Sequence, residues 1–198
     1  MKKIALAAGM AAAFMSTSAL AQSIQSGPYA GAQLGWTQNK IREVDTGLGV
    51  LGPQGKKDSV IGGAFVGYDE IVGERLLFGA ELGISVSSDD EASRTSRGTT
   101  LTVDPRYSFD ASARAGYLLN DSTLLYARGG YANVRTRATL AGANGTTRGS
   151  DNLDGWLVGG GIEKALTDTI SARAEYRFSD FSGNYDRHQA LLGIALRF

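Results

Sequence analysis

Glu81, Arg114, Arg128, Glu163, Arg173 and Glu175 are the residues whose types and spacing suit them to act together. Each sits in the polar half of a segment that alternates with an apolar half. Three acids and three bases so placed are able to neutralise one another, and buried charges are tolerated only when paired. The expectation is one ionic network on the inner side of whatever these segments enclose.

Other candidates for chemistry are weaker. His188, the single histidine, is followed by Gln189 and Ala190, so no adjacent serine is available as a nucleophile. The stretch GPQGKK at 52–57 fails the phosphate-loop spacing: Val50 stands where the first glycine is needed and Lys57 where Ser or Thr is needed. Asp89, Asp90 and Glu91 offer oxygen ligands without a spacing that fixes a cation cage. Asn144-Gly145-Thr146 reads as a loop-tip turn rather than a glycosylation acceptor. With no cysteine, thiolate metal sites and disulfides are excluded. No catalytic residue, metal or cofactor is expected.

The elements that must position the six charges are strands. Residues 76–88, LLFGAELGISVSS, put Leu76, Phe78, Ala80, Leu82, Ile84 and Val86 on one face, with Glu81 between Gly79 and Gly83 on the other. The same period of two recurs in Tyr29–Gln38, Tyr107–Leu118, Thr123–Arg135, Leu153–Lys164, Thr169–Phe178 and His188–Phe198. Val60–Asp69 is so rich in glycine that its apolar face is ambiguous. These make eight strands of about ten residues, the length that crosses a bilayer when tilted. Connections at 70–75, 119–122 and 165–168 are short; those at 39–58, 88–102, 136–152 and 179–187 are longer and polar. Both chain ends then fall on the short-turn side.

Lys2 and Lys3, an apolar run from Ile4 to Met15 and the sequence Ala19-Leu20-Ala21 have the layout of a secretory signal peptide. Residues 1–21 are therefore read as the signal and 22–198 as one domain. Without that signal the chain carries 18 Lys+Arg against 20 Asp+Glu, a balance that argues against nucleic acid as a partner. No segment beyond it is apolar enough for a spanning helix. In lipid, unpaired backbone groups leave only helices and closed barrels. The expected fold is thus all-β, an eight-stranded antiparallel transmembrane up-and-down β-barrel. A soluble barrel with its apolar face inward is the competing arrangement. Aromatics at strand ends favour the membrane: Tyr29, Tyr68, Tyr117, Tyr176 and Phe198 towards the short turns, Trp36 and Tyr107 towards the long loops. Small residues beside Glu81 would leave room for long charged side chains from facing strands.

The segments YAGAQLGW, FGAELGI, SARAGY, YARGG, GGGIEKALT, ARAEYRF and the terminal LRF resemble the transmembrane barrel of outer membrane protein A, and still more the compact porin-family and opacity-type proteins. The resemblance spans residues 27–198. It implies that Glu81, Arg114, Glu163 and Arg173 match an interior gate-like salt-bridge set, with Arg128 and Glu175 beside it. It also implies that Phe198 is the C-terminal signal read by periplasmic chaperones and the barrel-assembly machinery. The soluble peptidoglycan-binding domain of outer membrane protein A has no counterpart in this sequence. The function expected is structural, in envelope integrity, with exposed loops for host or phage ligands; the alternative is a narrow gated channel for ions or small solutes. Outer-membrane lipid and lipopolysaccharide are the expected surroundings. Arg94, Arg97, Arg135, Arg137 and Arg148 are placed either to meet lipopolysaccharide phosphates or simply to face water.

Overall fold

The computed structural model describes residues 23–41, 56–88, 92–96, 99–142, 145–182 and 185–198. The signal segment 1–21, most of 52–57 and Asp89–Glu91 lie outside these residues. The strands are β1 (Gly27–Ile41), β2 (Lys56–Val72), β3 (Leu76–Ser87), β4 (Ala92–Ser96), β5 (Thr99–Asn120), β6 (Thr123–Gly142), β7 (Gly145–Ala165), β8 (Ile170–Phe181) and β9 (Tyr185–Arg197). Every pairing is antiparallel, in the order β3-β2-β1-β9-β8-β7-β6-β5-β4. Pairing of β3 with β5, from Leu76↔Tyr117 to Ser85↔Ser108, closes the ring. Eight strands therefore form the barrel, and β4 is a short flap on the far end of β5.

Orientation follows the alternation. Leu34, Val66, Phe78, Leu82, Ile84, Val158 and Ile194 point outward and are exposed, while Glu81 on the same strand as Leu82 is only 2 % exposed. A face of this kind, unbroken around the ring, belongs against hydrocarbon. The soluble alternative requires the reverse.

The short connections are built as turns. Gly73, with φ of 71°, occupies the left-handed region in the β2–β3 turn. The Asn120 side chain accepts the Ser122 backbone N–H at 3.1 Å in the β5–β6 turn. Thr167 Oγ1 accepts from the Ile170 N–H at 2.9 Å before β8.

At the opposite end the structure departs from the sequence expectation. β5, β6 and β7 run for 22, 20 and 21 residues, so much of 88–102 and 136–152 is strand rather than loop. Their ladder continues to Gly142↔Gly145. These extensions lack the apolar alternation that marks membrane crossing, but their many threonines suit a pleated surface, and antiparallel pairing needs no lipid. Asn144 lies outside the described residues. A register shift between Pro105 and Tyr107 places the proline, which has no N–H to donate, at an irregularity.

The glycines beside Glu81 make room, but for near neighbours. A Cβ on Gly79 would collide with the carboxylate of Asp69, its partner on β2; one on Gly83 would collide with Asp110, its partner on β5. Space is thus made for aspartates on adjacent strands rather than for long side chains across the barrel. Tyr29 also departs from expectation. It is 2 % exposed and points into the lumen, because it shares the parity of Gln33 and Thr37 rather than that of Ala32 and Leu34. Tyr176 is outward but mid-strand, where its hydroxyl meets His188 Nδ1 at 2.7 Å.

Leu82, 49 % exposed at the middle of β3, sits where lipid is most apolar. Leu82→Arg should destabilise the barrel by about 2–4 kcal/mol in urea titrations on lipid vesicles. The wild type should migrate faster on a gel unheated than boiled, as a closed barrel resists detergent.

Candidate functional site

All six charged residues singled out from the sequence lie in the lumen and in one network. Glu81 is its centre. Its Oε1 accepts from Arg128 Nη1 at 2.5 Å and Arg173 Nη2 at 3.1 Å. Its Oε2 accepts from Arg173 Nη1 at 2.5 Å and from the Tyr29 hydroxyl at 3.0 Å. Strands β1, β3, β6 and β8 are thereby tied at one carboxylate.

Below, towards the short turns, Arg114 Nη2 meets Glu163 at 2.9 Å and its Nε lies 3.3 Å from Asp69. Arg197 Nη2 contacts both of those acids at 2.8 Å, and the Ser171 hydroxyl donates to Glu163 at 2.7 Å. Above, Arg128 Nη2 and Arg177 Nη1 share Asp110 Oδ1 at 3.0 and 2.9 Å. Arg177 Nη2 also reaches Glu175 at 2.7 Å, and that acid accepts the Tyr126 hydroxyl at 2.7 Å. Aromatic faces supply the remaining contacts: the Arg173 guanidinium lies 3.5 Å from the Phe65 ring centroid, and that of Arg114 lies 4.5 Å from the Tyr126 centroid.

Five arginines are thus set against five carboxylates. Asp69, Asp110, Arg177 and Arg197 are the members that the six-residue set omits. Strand parity was the available signal for Asp110, Arg177 and Arg197, each opposite an apolar face in the sequence. The glycine-rich β2 concealed Asp69.

Apolar layers close the network at both ends. Ile24, Leu77, Leu118, Leu124, Tyr126 and Ala165 pack together at the short-turn end. Residues 23–26 cross this mouth: the Ile24 N–H donates to Asp121 O at 2.8 Å, Arg197 Nη1 donates to Gln25 O at 2.9 Å, and Ser26 Oγ accepts the Ile71 N–H at 2.9 Å. Ala132, Val134, Leu157 and Phe181 form the second layer, above Asp110. Between that layer and the network lies a cavity of about 10 Å³.

Chemically, the site holds charge fixed rather than moving it. Among the described residues no group of three or more His, Cys, Asp or Glu is arranged to hold a metal. His188 lies outside the lumen wall, against Tyr176 and Phe178. Arg135 donates to the Tyr107 hydroxyl at 3.3 Å on the exposed surface. Phe198, 73 % exposed, follows β9, and its N–H donates to Pro28 O at 3.1 Å.

Removing Glu81 would leave Arg128 and Arg173 without their shortest ion pairs. Glu81→Ala should lower unfolding free energy by about 3–5 kcal/mol in detergent micelles, the usual cost of stranding buried charge. Tyr29→Phe, which removes one neutral donor to the same carboxylate, should cost about 1–3 kcal/mol.

Comparison with known proteins agrees with this architecture. Residues 5–198 match the family model of the outer membrane protein beta-barrel domain. The 25 kDa outer-membrane immunogenic protein of Brucella canis is 31 % identical over 162 residues, covering 81 % of this chain and 68 % of that protein. Outer membrane protein A of Escherichia coli O157:H7 is 29 % identical; the match covers all of this chain but 55 % of that protein. Among solved structures, the attachment invasion locus protein of Yersinia pestis superposes with a TM-score of 0.55 at 14 % identity, over 88 % of this chain and 100 % of that one. Neisserial surface protein A gives 0.55 at 18 % identity, over 87 % and 98 %. Those two establish a shared fold. The protein resides in the outer membrane of a Gram-negative bacterium, and it belongs to the outer membrane protein beta-barrel domain family.

Proposed function

We propose that this protein is a structural element of the outer membrane, a closed barrel that supports envelope integrity and does not conduct or catalyse. The observation that carries this reading is the filled lumen. Its middle is crossed by arginine–carboxylate pairs from Arg197 and Asp69 up to Arg177 and Asp110, with apolar layers above and below. A barrel of eight strands has an interior just wide enough for side chains, and here side chains occupy it.

The outward surface suits the same role. Its apolar belt holds the protein in lipid, and the extended β5–β6 and β6–β7 hairpins carry backbone beyond it. We assign to these hairpins any contacts with lipopolysaccharide, host or phage surfaces. Phe198 serves as the terminal signal for periplasmic chaperones and the barrel-assembly machinery, consistent with its exposure at the end of β9.

Single-channel recording on refolded protein tests the reading. The wild type should give no resolved conductance in a planar bilayer, and neither Glu81→Ala nor Arg173→Ala should open a uniform conducting state. Discrete wild-type openings that these substitutions lengthen or enlarge would replace the structural reading with a gated pore.

A further inference from the structure

The charge balance of the lumen breaks at one residue. Arg187 on β9 is 3 % exposed, yet among the described residues no carboxylate lies within ion-pair distance of it. Its Nε donates to Asn39 Oδ1 at 3.3 Å and its Nη2 to the Tyr185 hydroxyl at 3.2 Å. The rings of Phe181 and Tyr185 lie 5.5 and 5.6 Å from the guanidinium. These contacts are neutral. Guanidinium offers five N–H donors and stays charged, so a full positive charge is buried with dipoles alone to answer it, an expensive state.

The cavity of about 10 Å³ adjoins this charge. Arg187 lines it, together with Arg177, Ser85, Ser108, Ser179 and Gln189, which supply hydroxyl and amide donors. Asp110 also lines it, but its Oδ1 is already shared by Arg128 and Arg177 at 3.0 and 2.9 Å. Room for about one water-sized particle, ringed by donors and bordered by an unanswered cation, suits one species best.

We propose that this cavity binds a single small monovalent anion, chloride under ordinary conditions, which neutralises Arg187 and completes the charge balance of the lumen. The network as described then becomes an ion-loaded plug: five internal pairs plus one pair formed with solvent-derived anion. This inference does not depend on whether the barrel conducts, since a bound counter-ion is a property of the folded lumen.

Two measurements test it. Urea unfolding in micelles, with chloride exchanged for gluconate at constant ionic strength, should show a saturable gain in stability. The folded-to-unfolded ratio should rise about tenfold once chloride reaches ten times its dissociation constant. Arg187→Met should flatten that dependence. Because this variant could fail to refold, bromide-soaked crystals of the wild type give a second reading, with an anomalous peak expected beside Arg187. Stability indifferent to chloride in the wild type, or a cavity without bromide, would overturn the proposal. A bromide peak without any chloride dependence would mean an adventitious ion only, and would overturn it equally.

Discussion

A peptide group that enters hydrocarbon without a hydrogen-bond partner costs several kcal/mol, and that constraint governs this molecule. Strands satisfy it only by closing on themselves, which β3 and β5 accomplish. Closure separates two environments with opposite demands. The outer wall meets lipid and is apolar at Leu34, Val66, Leu82 and Ile194. The inner wall meets itself across a few ångströms and must be filled.

It is filled with charge, a choice that needs a reason. Apolar side chains would pack a lumen as well, and buried ion pairs add little net stability over apolar substitutes. What they add here is selectivity among arrangements. A one-residue slip of any strand would turn its arginines or carboxylates towards lipid. Glu81, held by Arg128, Arg173 and Tyr29, penalises such slips on four strands together. The ionic core therefore acts as a register device, a role consistent with its position at mid-barrel, while Leu77, Leu124 and Leu157 close the ends.

Much of this was legible in the alternation of the chain. Side-chain parity placed Glu81, Arg114, Arg128, Glu163, Arg173 and Glu175 inside before any coordinate was known, because a period of two assigns every residue of a strand to one face or the other. The losses have physical causes. On β2 the glycines erase the contrast between faces, and with it the signal for Phe65 and Asp69. Tyr29 was misplaced because an aromatic near a strand end satisfies an interfacial girdle and an inner wall equally well; its parity with Gln33 carried the answer. The long ends of β5, β6 and β7 were read as loops because pairing in water leaves no hydrophobic trace. No rule of sequence pairs Arg177 with Asp110, which lie 67 positions apart and meet only through the curvature of the ring.

Residues 23–26 carry a consequence for the order of assembly. Their partners are Asp121, Ile71 and Arg197, and Ile24 packs among side chains from β3, β5, β6 and β7. No single hairpin presents such a seat. It comes into being once the first and last strands have joined and the far side of the ring has curved round beneath them. Threading of this short tail is accordingly a late event in maturation, and the Ile24 amide is a natural timer for the moment the cylinder becomes whole.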